Sequence, residues 1–326
     1  MPQRPRSARR TLVLAVLVFE LAAVCGLAAV ASATRSGAKA LCGQTSTPYT
    51  PLEDLGGGLY RGYQGGLYPG GSDAPPASYL SQGLAYSQNV QPLDQSGRPS
   101  AWRGRIAVLS IGMSNAELEF GAFQQLARSA GINPHVALVN GAEAGQPAQV
   151  IRNASAAYWQ DVDSTLRSSG LTAAQVQVVW LKEAREFETL RFPADALALR
   201  SDLSAIVAIL RSRFPNLEFV YVSSRSYAGY ASTILNPEPY AYESGFAVKW
   251  LVEDRIGGQL SGRPWIGWGP YLWTNGTKGR SDGLVWTCAD VQSDGTHPTA
   301  SGQAKIARLL LAALSSDPTS RPWFSR

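Results

Sequence analysis

Ser114, Asp294 and His297 are the residues whose types and spacing could carry out acyl-transfer chemistry. Ser114 follows the run Ala107-Val108-Leu109-Ser110-Ile111 and a turn on Gly112, and a helix-like pattern begins at Asn115. The apolar, β-branched run predicts a buried strand. A hydroxyl at a strand-to-helix turn stands clear of the sheet, beside backbone N–H groups that have no helical acceptor. Such groups can hold a developing oxyanion. Taken alone, the same serine reads as a cap for the following helix.

A serine nucleophile needs a base that works near neutral pH, and histidine is the usual one. The chain has only two. His135 opens a predicted strand at the opposite, amino-terminal edge of the sheet and reads as structural. His297 lies in Ser293-Asp294-Gly295-Thr296-His297-Pro298, just before the last predicted helix. Asp294, three residues earlier, is placed to accept a hydrogen bond from the imidazole, fix its tautomer and stabilise the imidazolium. An isolated Asp-Gly-Thr-His-Pro segment would be no more than a turn. Its arrival at the same predicted sheet edge as Ser114 is what favours catalysis.

The elements that must position these residues alternate in type. Strands are predicted at Ile106–Ile111, His135–Val139, Val176–Leu181, Leu217–Val222 and Trp265–Trp268. Helices are predicted over Asn115–Ala130, Ala156–Ser168, Asp195–Arg213 and Tyr240–Ile256, with a last one after Pro298. Asp195–Arg213 carries Leu199, Leu203, Ile206 and Leu210 on one face. This alternation predicts an α/β fold, a parallel sheet of about five strands with helices on both faces. Ligands bind such sheets at the carboxyl ends of the strands. Ser114, the segment 140–145, Lys182 and Arg225 all follow strands at that edge.

Outside these elements, residues 1–33 read as an export signal. Arg4, Arg6, Arg9 and Arg10 precede an apolar stretch from Leu12 to Val30, and Ala31-Ser32-Ala33 suits cleavage. An uncleaved membrane anchor is the alternative. Four of the 29 basic and one of the 24 acidic residues lie in this segment, leaving 25 and 23. The remainder is thus nearly neutral, with no basic stripe to suit nucleic acid. After cleavage no stable membrane insertion is expected, and the location is secreted or periplasmic. Residues 34–104 are rich in Gly, Tyr, Pro and Ser and read as an irregular arm ahead of a domain over 105–326. Cys42 and Cys288 are a disulfide or two free thiols. Two histidines and two distant cysteines supply no metal-ligand cluster, and no phosphate-loop or dinucleotide fingerprint follows a strand. No cofactor is expected.

At this point the chain resembles the SGNH (GDSL-type) hydrolases. Gly112-Met113-Ser114-Asn115 matches their first block, Gly145 (with Gly141 second) the second block, and Asp294 with His297 the last. The Gly-x-Ser-Asn form also resembles the sialate O-acetylesterase and acetylxylan esterase relatives, and some later segments resemble a secreted bacterial group without assigned substrates. The resemblance implies a flavodoxin-like three-layer α/β/α sandwich with Ser114 as nucleophile, Asp294 and His297 as its acid–base pair, and the N–H groups of Ser114 and Gly145 as oxyanion hole. It implies ester hydrolysis, with O-acetyl groups on carbohydrate as the expected substrate. An O-acetyltransferase acting on a glycan, or a non-catalytic carbohydrate-binding protein on a degenerate fold, are the alternatives. The third block departs from the family: Trp180-Leu181-Lys182-Glu183-Ala184 has no asparagine. Losing one oxyanion donor costs on the order of 10²–10³ in rate. Lys182, Gln146 or the Asn115 side chain is a candidate replacement. Asn115, Lys182 and Arg225 are candidate substrate-binding residues, Arg225 toward a carboxylate or sugar hydroxyls.

Overall fold

The computed structural model describes residues 39–326. The export signal expected at 1–33 lies outside the described residues. The arm contributes a short helix α1 (Leu52–Leu55), a two-stranded hairpin of β1 (Leu59–Tyr60) and β2 (Tyr63–Gln64), and helix α2 (Ala77–Ser87). The expectation of an irregular arm is corrected by α2. This helix has no charged residue to mark it and contains Gly83, and it is held by packing. A β-carbon at Gly83 would sit 2.8 Å from the Thr319 methyl and 2.9 Å from the Trp265 ring.

From there the chain alternates as its apolar pattern requires. β3 (Ile106–Gly112) leads into α3 (Ser114–Ser129), and β4 (Val136–Asn140) into the short α4 (Ala148–Ile151) and α5 (Tyr158–Ser168). β5 (Val176–Lys182) is followed by α6 (Ala194–Arg213), and β6 (Phe219–Val222) by α7 (Tyr240–Ile256). β7 (Trp265–Trp268), α8 (Ala300–Ser316) and a terminal turn α9 (Arg321–Phe324) complete it. The five long-range strands are all parallel, in the order β4-β3-β5-β6-β7. This is a flavodoxin-like order, with the switch point beside β3. Every residue of β3, β5, β6 and β7 is buried, as expected for strands covered on both faces.

α3 and α8 pack together on one face, where Phe120 and Phe123 of α3 join Ile306, Leu310 and Leu314 of α8 in the core. α6 packs against α7, and its predicted apolar stripe, Leu199, Leu203, Ile206 and Leu210, is buried in the core. The tryptophans near the C-terminal half are core: Trp265, Trp268, Trp273 and Trp286 are all buried. A disulfide joins Cys42 to Cys288, with Cα atoms 5.3 Å apart, and ties the arm to the loop that leads to Asp294. Among the described residues no helix is long and apolar enough to cross a membrane.

Candidate functional site

β3 ends at Gly112 because only glycine fits there. A β-carbon would lie 2.3 Å from the carbonyl oxygen of Lys182 on the neighbouring strand and 2.6 Å from the Ala116 β-carbon. The chain turns through Met113, which stands at the N-cap of α3 with no side-chain acceptor to offer. Ser114 is the first residue of the helix and does not cap it. Its hydroxyl lies 2.9 Å from His297 Nε2. The first-turn N–H groups keep no acceptor from a cap, which leaves them open toward an anion.

His297 and Asp294 sit on the turn before α8. The imidazole Nδ1 is 2.5 Å from Asp294 Oδ2, and Asp294 Oδ1 accepts the backbone N–H groups of Thr296 at 2.9 Å and His297 at 3.1 Å. Burial works to raise the Asp294 carboxyl, but the hydrogen bonds from His297 and the two backbone N–H groups outweigh it and hold it down at about 2. An ionised carboxylate on Nδ1 leaves Nε2 facing the serine as a proton acceptor. His297 is 26% exposed on its side chain, so the arrangement opens to solvent.

The turn carrying the pair is pinned from several sides. Gly295 has φ +68°, and a β-carbon there would fall 1.8 Å from the carbonyl oxygen of Tyr230, a contact only glycine permits. Ser232 donates to the Asp294 carbonyl from both N (3.0 Å) and Oγ (3.1 Å), and the Thr233 and Thr296 hydroxyls are 3.0 Å apart. Behind it, Asp290 accepts from Lys305 at 2.6 Å and Ser301 at 2.7 Å. Sequence reasoning missed Ser232 and Thr233. They are ordinary polar loop residues whose role exists only once β6 and the last loop are adjacent.

Gly145 lies at an exposed turn after β4, with φ +73°. Among the described residues its N–H has no protein acceptor. The preceding segment is fixed to the Gly112–Ser114 turn by Glu143 N donating to Gly112 O at 2.9 Å, and Tyr158 donates to Gly141 O at 2.8 Å. At the opposite edge His135 Nδ1 is 3.0 Å from Gly104 O, as a structural residue would be.

Two expected substrate contacts are corrected. Lys182 is the last residue of β5, opposite Gly112, not the first residue of a loop. Strand alternation therefore sends its side chain into the α3 layer together with Trp180, which stacks on Phe120. There its ammonium is 2.5 Å from both Glu119 oxygens, at 1% exposure, so it offers nothing to an oxyanion. Burial lowers the lysine and raises the glutamate from their ordinary values. Asn115 is also buried, and its Nδ2 donates to Thr296 O at 3.0 Å. That amide donor is spent on the turn that carries His297. Arg225 follows β6 at the same edge, 4% exposed. A cavity of about 350 Å³ lies between the sheet and α8, walled by Phe120, Trp180, Trp268 and Leu310, and none of Ser114, Asp294 or His297 lines it.

No protein-family model matches the chain, and no curated protein matches it by sequence. Among solved structures it is similar to an acetyl esterase mutant crystallised with acetate, at 13% identity over 63% of this chain and 94% of that one, with a TM-score of 0.40. It is similar to the periplasmic domain of a lipopolysaccharide acetyltransferase from Salmonella ser. Paratyphi A, at 12% identity over 73% and 94%, with a TM-score of 0.40. It is also similar to a putative acylhydrolase from Bacteroides fragilis, at 10% identity over 73% and 95%, with a TM-score of 0.37. These are likenesses of fold. The strand order gives this chain a flavodoxin-like three-layer α/β/α fold, with Ser114, Asp294 and His297 brought together at the carboxyl edge of the sheet.

Proposed function

We propose that the protein is an exported serine esterase that removes O-acetyl groups from carbohydrate. The observation that carries this reading is the 2.9 Å approach of Ser114 Oγ to His297 Nε2, with Asp294 on the other ring nitrogen. Ser114 Oγ attacks the ester carbonyl as its proton passes to Nε2. The N–H groups of Ser114 and Gly145 hold the negative oxygen of the tetrahedral intermediate. His297 then returns the proton to the leaving sugar oxygen, and the C–O bond breaks to leave an acyl-serine. Water, deprotonated by the same Nε2, attacks the acyl carbon and releases acetate and the free serine. The basic and apolar N-terminal pattern supports export, and the Gly-x-Ser-Asn block supports an acetylated sugar.

The test is turnover of p-nitrophenyl acetate and a panel of acetylated sugars by the purified protein. Ser114→Ala and His297→Ala should each lower kcat by about 10⁴–10⁶, and Asp294→Asn by about 10⁴. Wild-type turnover at background across the panel rejects the esterase. Faster loss of acetyl to an added sugar than to water would identify a transferase using the same acyl-serine.

A further inference from the structure

The cavity between the sheet and α8 is a long apolar slot. Its floor is Val108 of β3, Val178 and Trp180 of β5 and Tyr221 of β6, which the strand register places on one face. Trp268 of β7 closes one end, and Leu310, Ala313 and Leu314 of α8 form the roof. The four contributing strands are neighbours in the sheet, so their axes span about 14 Å. A volume of about 350 Å³ drawn out along that line suits a chain better than a compact body. It is more than twice the roughly 150 Å³ of an apolar cavity that admits benzene.

The polar atoms of its walls are already committed. Trp180 Nε1 donates to Ser223 Oγ at 3.0 Å, and Trp268 Nε1 to Leu67 O at 2.7 Å. The Tyr221 and Thr319 hydroxyls are 2.8 Å apart, and Ser320 Oγ donates to Leu314 O at 2.9 Å. A sugar placed here would bury hydroxyls without partners, whereas a hydrocarbon loses nothing. The mouth is different. Asp73, Ser316 and Pro318 are exposed and Asp317 is half-buried, so the cavity meets solvent between the arm and the end of α8. Asp73 and Asp317 are the only charged residues that line it. Neither is in an ion pair among the described residues. Lys249, whose ammonium bonds the Tyr68 carbonyl at 3.3 Å, does not line the cavity. Asp317 Oδ1 accepts from Thr319 N at 2.7 Å and Thr319 Oγ1 at 2.5 Å, while Oδ2 takes no donor among the described residues. A fatty-acid carboxylate at this mouth would meet two like charges and no cation. An ammonium group would meet two acceptors of opposite charge.

We infer that this cavity is a second binding site, which takes a hydrocarbon chain ending in an ammonium group, the chain in the slot and the cation at Asp73 and Asp317. None of Ser114, Asp294 or His297 lines it, so the inference does not rest on the esterase reading. The experiment is isothermal titration calorimetry of the purified protein with decylamine, decanol and decanoate, each below its micelle concentration. Decylamine should bind about tenfold or more tighter than decanoate. Affinity should climb about fourfold with each methylene added from hexylamine to decylamine, as it does when a chain leaves water. Asp73→Asn/Asp317→Asn, which keeps the Oδ1 acceptor that Thr319 uses, should bring decylamine down to the affinity of decanol. Ala313→Trp places a ring in the slot and should abolish binding. Ala313→Leu, a milder filling, should weaken binding about tenfold and serves if the tryptophan variant does not fold. Thermal unfolding of each variant shows whether it is folded. No binding of any of the three ligands would overturn the inference. So would decanol or decanoate binding as tightly as decylamine, or unchanged decylamine affinity in a folded Ala313 variant.

Discussion

Asn115 Nδ2 donates to the carbonyl oxygen of Thr296 at 3.0 Å, so the residue after the serine grips the residue before the histidine. The nucleophile turn and the histidine turn lie far apart in the chain, and this bond is a direct brace between them. Removing it should misplace His297 relative to Ser114 without touching either. Asn115→Ala is expected to lower kcat about ten- to hundredfold with KM little changed. Steady-state kinetics on an acetyl ester check this. A rise in KM alone would instead make Asn115 a substrate contact.

The Lys182–Glu119 pair is buried, so the two partners are worth testing together. Lys182→Met alone strands a carboxylate and should destabilise the fold by about 3–5 kcal/mol. The double variant Lys182→Met/Glu119→Leu removes both charges and should recover most of that loss. Denaturant unfolding gives the two values. Activity in the double variant should persist, because the ammonium is turned into the α3 layer. An inactive but stable double variant would return Lys182 to the oxyanion site.

Two carboxyl groups give opposite pH dependences of stability. Glu243 is pushed up to about 8, mainly by burial, with Asp195 adding to the shift and the Tyr60 hydroxyl opposing it. The folded protein therefore binds this proton more tightly than the unfolded chain, where the value is 4.5. The resulting stability is full below about pH 4.5 and is lost as pH rises through about 8. Asp294, held at about 2 against an ordinary 3.8, stabilises above its ordinary value and loses that contribution as pH falls through 2. Calorimetry should show Tm declining from about pH 5 to pH 8, and Glu243→Gln should flatten that slope.

The Cys42–Cys288 bond closes a loop spanning 246 residues of sequence separation. In the chain-entropy account, its loss costs on the order of 5 kcal/mol. The Cys42→Ser/Cys288→Ser variant should melt well below the wild type under identical conditions. Reduction of the wild type with a thiol should reproduce the shift.

Much of the fold was legible because the apolar pattern alone decides it. Trp265–Trp268 and Tyr240–Ile256 begin and end where hydrophobicity places them, and the alternation of strands and helices leaves few topologies. The serine and histidine turns were legible from type and spacing. Lys182 was not, because its role hangs on one residue: a strand ending at Leu181 would have released it into the cleft, whereas ending at Lys182 buries it. Helix α2 was hidden for a different reason. Its sequence, Ala-Ser-Tyr-Leu-Ser-Gln-Gly-Leu-Ala-Tyr-Ser, has little local helical signal, and contact with Trp265 and Thr319 supplies what propensity lacks.

The close fit of Gly295 against the Tyr230 carbonyl has a consequence for how such a protein could be altered. Asp294 and His297 are set in backbone that cannot shift without pushing on the β6–α7 connection, so their turn tolerates almost no change of side chain. Phe187 and Ile234, 58% and 66% exposed, stand on segments joined to each other by the Phe187 N–H bond to Leu235 O, and their side chains take no part in that support. A library aimed at new substrates should therefore keep its foldable members when diversified at Phe187 and Ile234, and lose them when diversified at Gly295.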